Sequence, residues 1–565
     1  MKRISRSLSA PVVCAFLQIF LGGQALSALS FWDKTPPKVL AQQLVRAMTD
    51  EQLAAQVFLF GYPGVTPSQE YLSRIETYGL GGVKIFGWNA PNTQVVAQAV
   101  DLVQKAASVS PFHIPLFVAT DEEGGWVRHI KGNTSVTSGS LSLGAEGLAY
   151  DAYHSGKYIA HELAVMGVNM NFAPSVDLYI NPDAHVIGPR SFSADPYEAG
   201  WLATAFVRGE MDAGVIPTAK HFPGHGNTSQ DSHGGLPIIQ DTWQTLKNRE
   251  MIPYKMLIRE GLPAIMTGHL AFPQISGNLL PASLNPRLNR DLLRKKLDFQ
   301  GVVITDDLFM VGAKPADWSE TEPAIRALTA GNDLLLLSQP DKIEVADFWA
   351  VVAKMRAEPS FKEIVQQAVS RDLLLKIKFL KSPLAPPLYP NPTHLALPDT
   401  AANQFFFSQA VRSVVLLKKE GLPWSREAGK GLLVITPYGE FYDAVKQHFP
   451  DAVKLEYNYH FFGYNDAFRE EVVQKAPMAS RILLLLATPG AYEYLKVLEP
   501  WKDKVTVVSV LSPAPLRKYP WVKTAIAAFG TDMDAFDAAV AVLDGQLHPT
   551  AKLPLHFAGL PDGGP

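Results

Sequence analysis

The triplet Asp231-Ser232-His233 brings together two side chains that can move a proton. An Asp two residues before a His can reach a ring nitrogen in a turn, which fixes the tautomer of the imidazole and raises its pKa. The surrounding segment is rich in glycine and ends at a proline, which predicts a loop. We interpret His233 as a proton donor and acceptor near neutral pH; a surface contact without a role is the alternative.

A second candidate, Asp306, follows the apolar run Val302–Thr305, which predicts a buried strand. A carboxylate at the end of such a strand can serve as a nucleophile, a metal ligand or a hydrogen-bond anchor. Side chains alternate along a strand, so the neighbouring Asp307 faces away from the site. We expect Asp307 to cap the following helix.

Several histidines raise the possibility of a zinc site. The possible ligands are His221, His225, His233 and His269, together with Asp231. His221 and His225 are four residues apart, a spacing that places two ligands on one face of a helix. Pro223 and Gly224 lie between them and break any helix. We therefore expect neither a metal nor a cofactor.

Eight short apolar runs predict the strands that must position these residues. They are Gln56–Gly61, Gly82–Phe86, Leu116–Thr120, Val168–Phe172, Val215–Ala219, Ala264–Thr267, Val302–Thr305 and Asp333–Leu337. Segments of helical period, such as Tyr153–Met166, lie between them. This alternation predicts a (β/α)8 TIM-type barrel, whose parallel strands are covered on both sides.

The active site of such a barrel lies at the carboxyl ends of its strands. Ionisable residues follow the third to the seventh predicted strands: Asp121, Glu122 and Glu123, then Asp177, then Lys220 and His221, then His269, and finally Asp306. A packed core alone does not produce this distribution. The sequence therefore predicts one polar site at one end of the barrel.

A second domain is expected after the barrel, which we place at residues 31–380. The segment Lys381–Asp399 is dense in proline and has no apolar period, which predicts a semi-rigid linker. Residues 400–565 then contain further buried-strand runs with helices between them, at Val414–Lys418, Leu432–Thr436, Ile482–Ala487 and Val505–Leu511. This part predicts a smaller α/β sandwich.

The N-terminus has the pattern of an export signal over residues 1–30. Positive residues at 2, 3 and 6 precede an apolar stretch, Ala10–Gly23, that is too short to span a bilayer comfortably. Cleavage is expected near Ser27 or Ser30, and an uncleaved anchor is the alternative. The only cysteine, Cys14, lies in this stretch, so the mature chain would have neither disulfides nor a cysteine nucleophile. Pro11 argues against a lipoprotein signal.

Four motifs, in this order along the chain, resemble the signature of bacterial β-N-acetylglucosaminidases of glycoside hydrolase family 3. They are Asp121-Glu122-Glu123-Gly124-Gly125 with Arg128, Gly188-Pro189-Arg190-Ser191-Phe192, Lys220-His221-Phe222-Pro223-Gly224-His225-Gly226 with Asp231-Ser232-His233, and Thr305-Asp306-Asp307-Leu308-Phe309-Met310. The resemblance covers about residues 40 to 380 and continues more weakly to Asp544–Pro554.

The resemblance implies a retaining glycosidase in which Asp306 is the nucleophile and His233 is the acid/base, assisted by Asp231. Retention ordinarily uses two carboxyl groups ~5–5.5 Å apart, and here the Asp–His pair replaces the second. The candidate substrate-binding residues are Asp121, Arg190, Lys220 and His221, together with Arg128 and His269. Glu122 and Trp126 depart from the family, which more often has Gln and Arg there, and these departures bear on the charge of the site.

The resemblance and the export signal together predict an exported exo-β-N-acetylhexosaminidase that releases terminal GlcNAc from peptidoglycan fragments or chitin-type oligosaccharides. Its location would be the periplasm or the medium, and its partner a small carbohydrate. The net charge of −3 gives no indication of a nucleic-acid partner. We expect a monomer, in contact with a membrane only if the signal stays uncleaved.

Four other functions stay open at this stage. They are a family 3 β-glucosidase, a β-GlcNAc phosphorylase, a non-catalytic sugar-binding protein and a metal-dependent hydrolase. A neutral histidine tolerates an incoming phosphate better than a carboxylate does, which is the argument for the phosphorylase. Other family members take their acid/base from a Glu of the second domain. Glu440, Glu456, Glu493 and Glu499 are present, and we expect them to be surface charges.

Overall fold

A computed structural model describes residues 29–314, 318–338, 342–459 and 466–563. The predicted export signal, with Cys14, lies outside these ranges except for residues 29 and 30. Within the described ranges, every helix is too short or too polar to cross a membrane.

Among the described residues, the first two thirds of the chain contain ten strands. They are β1 (Phe58–Phe60), β2 (Gly82–Lys84), β3 (Phe117–Thr120), β4 (Glu122–Gly124), β5 (Val127–Arg128), β6 (Met170–Asn171), β7 (Ile216–Phe222), β8 (Ala264–Thr267), β9 (Val302–Thr305) and β10 (Leu335–Leu337). Eight of them pair in parallel in the order β10-β1-β2-β3-β6-β7-β8-β9, and a parallel bridge between Ile304 and Leu334 closes the ring. Seven of the predicted runs contain one of these strands each, and the eighth, Val215–Ala219, covers the start of β7, which continues to Phe222; the predicted barrel is confirmed. The other two, β4 and β5, form an antiparallel hairpin directly after β3.

Helices cover the outside of the barrel. They are α1 (Pro37–Ala47), α2 (Asp50–Gln56), α3 (Gln69–Tyr78), α4 (Thr93–Val109), α5 (Ser140–Glu146), α6 (Ala149–Val165), α7 (Pro196–Asp212), α8 (Trp243–Asn248), α9 (Met251–Arg259), α10 (Pro273–Ser276), α11 (Glu322–Ala330), α12 (Lys342–Ala357) and α13 (Pro359–Leu380). A π-helix spans Arg287–Lys296. Local sequence sets their starts: Asp195 accepts hydrogen bonds from the backbone N–H groups of Tyr197 and Glu198 and so caps α7.

The interior of the barrel is filled with apolar side chains. Alternate residues of the strands point inward and form one buried cluster, which includes Leu59, Phe117, Met170, Ile216, Met266, Ile304 and Leu336. Leu375 and Phe379 of α13 pack against the same cluster. Because the interior is occupied, a substrate has room only above the carboxyl ends of the strands.

The second domain is a separate sheet between helices. Its strands are β11 (Val415–Lys419), β12 (Leu432–Thr436), β13 (Val453–Glu456), β14 (Arg481–Leu486), β15 (Val505–Val510) and β16 (Thr524–Phe529), in the order β11-β16-β15-β14-β12-β13. Only β11 runs antiparallel to its neighbour. The helices are α14 (Thr400–Ser413), α15 (Gly439–His448), α16 (Asp466–Lys475), α17 (Glu493–Leu498) and α18 (Met533–Leu543). Apolar clusters lie on both faces of the sheet, as the predicted sandwich requires.

Two strands of this domain were not predicted, for different reasons. Three of the four residues of β13 are exposed at the edge of the sheet, so β13 lacks an apolar run. Strand β16 is fully buried, but three of its six residues are alanines, which have low strand propensity.

The second domain holds the loop that leads from β6 to α7. The Tyr179 hydroxyl lies 2.8 Å from the Ser512 hydroxyl oxygen, and both side chains are buried. Arg517 and Lys518 each form an ion pair of 3.0 Å with Asp183. These contacts fix the path of the chain toward residues 188–190.

The packing of Gly188 against the Tyr179 ring can be tested by substitution. A Cβ added at Gly188 would lie 2.2 Å from Cζ of the buried Tyr179 ring, so the ring would have to move. We expect Gly188→Ala to lower the free energy of unfolding by about 1–3 kcal/mol, the usual cost of overpacking. Thermal and guanidinium unfolding followed by circular dichroism measure the change.

The matched control is Gly439→Ala at the first residue of α15, where an added Cβ meets no atom within 4 Å. Equal unfolding midpoints for the two variants would contradict the proposed role of the Gly188–Tyr179 contact.

Candidate active site

Five charged side chains form a buried ion network at the carboxyl end of the barrel. The ammonium groups of Lys84, at the end of β2, and Lys220, in β7, both donate to the carboxylate of Asp121, which follows β3. Lys220 also lies 2.6 Å from Oε1 of Glu123 in β4. Arg190 completes the network with two hydrogen bonds to Glu123, of 2.8 and 2.7 Å. Positive and negative groups therefore alternate along it.

The network keeps its carboxylates ionised. Burial raises the pKa of Asp121, but the charges of Lys220 and Lys84 outweigh this effect and hold the pKa well below its usual value. Burial likewise opposes ionisation of Glu123, whose pKa is nevertheless lowered by Arg190 and Lys220. In turn, the pKa of Lys220 is raised against the effect of burial by Asp121 and Glu123. The pocket thus offers fixed donors and fixed acceptors side by side, as the hydroxyls of a sugar require.

His221 extends the network to a further carboxylate, Asp177. Its Nδ1 lies 2.6 Å from Oδ2 of Asp177, and its Nε2 lies 3.3 Å from a guanidinium nitrogen of Arg190. A guanidinium only donates, so Nε2 accepts and the proton sits on Nδ1. Asp177 also accepts from the backbone N–H of His225 at 2.6 Å. These bonds fix the orientation of the imidazole.

Asp306 directly follows β9 and lies in the same strand-end layer. Its Oδ1 accepts from the backbone N–H of Asp307 at 2.8 Å. Burial raises the pKa of Asp306, but His221, His269 and this N–H group together lower it below its ordinary value. The carboxylate is therefore anionic at neutral pH, the state that a nucleophile needs.

His269 supports the Asp306 loop. Its ring is fully buried, with Nδ1 2.7 Å from the Ser283 hydroxyl and Nε2 2.9 Å from the carbonyl oxygen of Asp307. A carbonyl only accepts, so Nε2 carries the proton, and both ring nitrogens are engaged. These contacts hold the turn that follows Asp306; direct sugar binding by His269 stays a prediction.

The prediction that Asp307 caps a helix is wrong, because a turn follows it. Its Oδ1 accepts from the N–H groups of Phe309 and Ser338, each at 3.1 Å. Asp307 thus ties the end of β9 to the residue that follows β10.

The Asp231–His233 pair lies on the long loop after β7. Nδ1 of His233 is 2.8 Å from Oδ1 of Asp231, and the His233 side chain is 70% exposed. The hydrogen bond to Asp231 is the main cause of a raised pKa of His233, and the charge of Asp306 raises it further.

Ser232 anchors this loop between the two functional residues. Its side chain is buried, with the hydroxyl 3.4 Å from Nε2 of His225. Its carbonyl oxygen accepts from the backbone N–H of Gly312 at 3.1 Å. The loop is thus attached at its centre to the β7 segment and to the turn after β9, while the imidazole of His233 stays exposed.

Arg128 lies in the hairpin after β3, paired with Glu122. In β5 it donates to the carbonyl oxygen of Ser135 at 3.3 Å. In the described part of the chain it makes no hydrogen bond or ion pair with the other eight candidates. The described residues also contain no group of three or more His, Cys, Asp or Glu side chains arranged to hold a metal ion.

Three residues of the site, Lys84, Glu123 and Asp177, were not among the predicted catalytic or substrate-binding residues. A signal for Lys84 was available, because it is the only charged residue in the run Gly82–Phe86. A charge inside a buried strand needs a partner. Glu123 and Asp177 lay within quoted strand-end segments, without a contact to distinguish them from their neighbours.

The sequence of this chain is similar to those of known glycosidases. Residues 45–371 match the model of the glycosyl hydrolase family 3 N-terminal domain. The chain is 34% identical over 279 residues to beta-hexosaminidase A of Pseudoalteromonas piscicida, a match that spans 46% of each chain. It is 35% identical over 260 residues to a beta-hexosaminidase of Tolumonas auensis, covering 46% of this chain and 75% of that protein.

A solved structure matches over nearly the whole length. It is a glycoside hydrolase family 3 beta-N-acetylglucosaminidase from Paenibacillus sp. str. FPU-7, with 29% identity and a TM-score of 0.83. The match covers 91% of this chain and 99% of that one, so both domains of the fold are shared.

The Asp231–His233 contact leads to a prediction about titration. Asp231→Asn removes the negative charge and the acceptor that stabilise the imidazolium, so the pKa of His233 should fall. NMR of 15N-histidine-labelled protein across a pH series measures this pKa directly. Asp451→Asn, at an exposed carboxylate in the second domain, is the control. An unchanged His233 midpoint in Asp231→Asn would contradict the pairing.

Proposed function

The chain belongs to glycoside hydrolase family 3, and on this premise we propose that it is a retaining exo-β-N-acetylglucosaminidase that releases terminal β-linked GlcNAc. The observation that carries the proposal is the 3.1 Å hydrogen bond from the backbone N–H of Gly312 to the carbonyl oxygen of Ser232, which joins the loop of the Asp231–His233 pair to the segment that follows the anionic Asp306. Relatives named beta-hexosaminidase and the Paenibacillus enzyme support the choice of sugar.

In the first step, Asp306 attacks the anomeric carbon while His233 protonates the departing glycosidic oxygen. Nδ1 of His233 is bonded to Asp231, so Nε2 is the atom that gives the proton. The bond from carbon to the leaving oxygen breaks as the bond to the Asp306 carboxylate forms. A glycosyl ester results through an oxocarbenium-like transition state.

In the second step, a water molecule attacks the same carbon. Nε2 of His233 takes its proton, and Asp306 departs as a carboxylate. Two inversions leave the configuration of the sugar unchanged. The His233 imidazolium is present before the first step and forms again in the second. Asp231 stabilises it in both cases.

The ion network provides the pocket for the terminal sugar. Asp121 and Glu123 present acceptor oxygens, and Lys220 and Arg190 present donors. Because these groups already hold one another, little reorganisation is needed when a sugar binds. Asp177 acts indirectly, through His221, and His269 holds the turn that follows Asp306.

The proposal extends to the setting of the enzyme. The pattern of residues 1–30 supports export to the periplasm or the medium. There, the proposed substrates are peptidoglycan fragments or chitin-type oligosaccharides. The enzyme is proposed to act as a monomer. A mature N-terminus between residues 27 and 31, found by sequencing the exported protein, tests the export step.

The choice of sugar is tested with two aryl glycosides. Purified enzyme should hydrolyse an aryl β-GlcNAc at least about tenfold faster, in kcat/KM, than the matching β-glucoside. Released GlcNAc, with no GlcNAc 1-phosphate in phosphate buffer, separates hydrolysis from phosphorolysis. Preference for the glucoside would overturn the proposal.

The nucleophile is tested by removal and chemical rescue. Asp306→Ala should lower kcat by at least about a thousandfold, since no covalent intermediate can form. Azide fits the vacated space and attacks from the same side, so it should restore turnover and yield the α-glycosyl azide. Asp451→Ala provides a control for an exposed carboxylate outside the barrel. A β-azide product, or full activity without azide, would refute the role of Asp306.

A further inference from the structure

A large aromatic side chain stands exposed at the rim of the pocket. Trp88 lies in the short 3-10 turn Gly87–Asn89, which begins three residues after the end of β2. The residue is 54% exposed, although indole is largely apolar. The neighbouring side chains Lys84 and Asn89 are buried. The exposure of Trp88 is therefore a property of this one side chain and not of a loose segment.

The indole of Trp88 is held in one orientation. Its ring stacks on the ring of Phe86 with centroids 4.3 Å apart and planes 6° from parallel. Its Nε1–H donates to the carbonyl oxygen of Tyr62 at 3.3 Å. Asn89 secures the turn by donating to the same carbonyl at 2.9 Å and accepting from the N–H of Phe86 at 2.9 Å. One face of the indole is thus covered by Phe86 and the opposite face is presented outward.

The aromatic pair is continuous with the charged pocket. The ammonium of Lys84 lies 4.8 Å from the centre of the Phe86 ring and is paired with Asp121. His129 lies 6.0 Å from Phe86 on the same side. In the barrel, β2 neighbours β3, which leads to Asp121. Trp88 therefore stands next to the sugar pocket, on the opposite side of β3 from β7, the strand that carries Lys220 and His221.

The difference in burial suggests which part of the substrate Trp88 meets. The groups that hold the terminal sugar are buried, with side-chain exposures of 17% for Asp121, 10% for Arg190 and 2% for Lys220. In an exo-acting enzyme, the rest of the substrate must leave such a pocket over its rim. An apolar indole face at the rim matches the flat C–H face of a β-linked pyranose.

We propose that Trp88 is a specificity residue that stacks on the sugar of the leaving group, next to the GlcNAc that is released. The inference rests on the proposed function. Because the indole is already fixed by Phe86 and Tyr62, stacking orders no further protein side chain, and its contribution appears in substrate affinity.

The test compares two substrates that share the terminal sugar. The leaving group of N,N′-diacetylchitobiose is a GlcNAc ring, and that of β-GlcNAc fluoride is a single atom. Trp88→Ala should lower kcat/KM for the disaccharide about five- to tenfold, mainly through KM, and change that for the fluoride by less than about twofold. Trp88→Phe, which keeps an aromatic face, should recover part of the loss.

Trp201→Ala is the matched control, since Trp201 is 59% exposed on the outer helix α7. If Trp88→Ala does not fold, Trp88→Leu takes its place. It should likewise lose more kcat/KM with the disaccharide than with the fluoride. Equal losses with both substrates, or no loss with either, would overturn the inference. A wild-type enzyme inactive on both substrates would instead overturn the proposed function.

Discussion

The rest of the site depends on two ion pairs of Asp121. Its carboxylate is held between the ammonium groups of Lys84 and Lys220. Charges this deeply buried are stable only when they are paired, and removal of one partner from a buried pair costs about 3–5 kcal/mol. Three separate strand ends meet at this carboxylate. The barrel must therefore close in its native register before the charged pocket exists at all.

The same network prepares the nucleophile. Three cations, Lys84, Lys220 and Arg190, face two anions, Asp121 and Glu123, which leaves one positive charge in excess. The positive charge of Lys220 is one of the causes that keep the pKa of Asp306 low. The groups suited to bind the sugar thus also help to keep the attacking carboxylate anionic. The same charges therefore serve substrate binding and the nucleophilic attack.

The two halves of the proposed mechanism rest on different supports. Asp306 lies at a strand end, where its carboxylate accepts from the backbone N–H of Asp307, and Asp307 is held in turn by His269 and Ser338. The imidazole of His233 projects from a loop and is exposed; its ring is hydrogen-bonded to Asp231, and Ser232 anchors the loop. The second domain supports the sugar pocket, because its contacts with Tyr179 and Asp183 fix the loop that carries Arg190.

The sequence by itself determined the features whose causes are local. The eight strand runs were visible because buried parallel strands are apolar throughout, and the Asp231–His233 pair because two residues in a turn suffice to form it. Strands β13 and β16 escaped because edge exposure and alanine content hide the same signal. The motifs also marked Asp306, Lys220 and His221 as members of one site, without showing what each one touches.

Only the tertiary structure decided which partner each charge has. Lys84 and Asp121 are 37 residues apart, and Lys220 and Asp121 are 99 apart, so their pairing requires the closed barrel. The role of His269 depends on which atoms occupy its two nitrogens, and the exposure of Trp88 depends on what packs around it. Hydrogen-bond partners and burial are properties of the assembled neighbourhood, because they are set by residues distant in the chain.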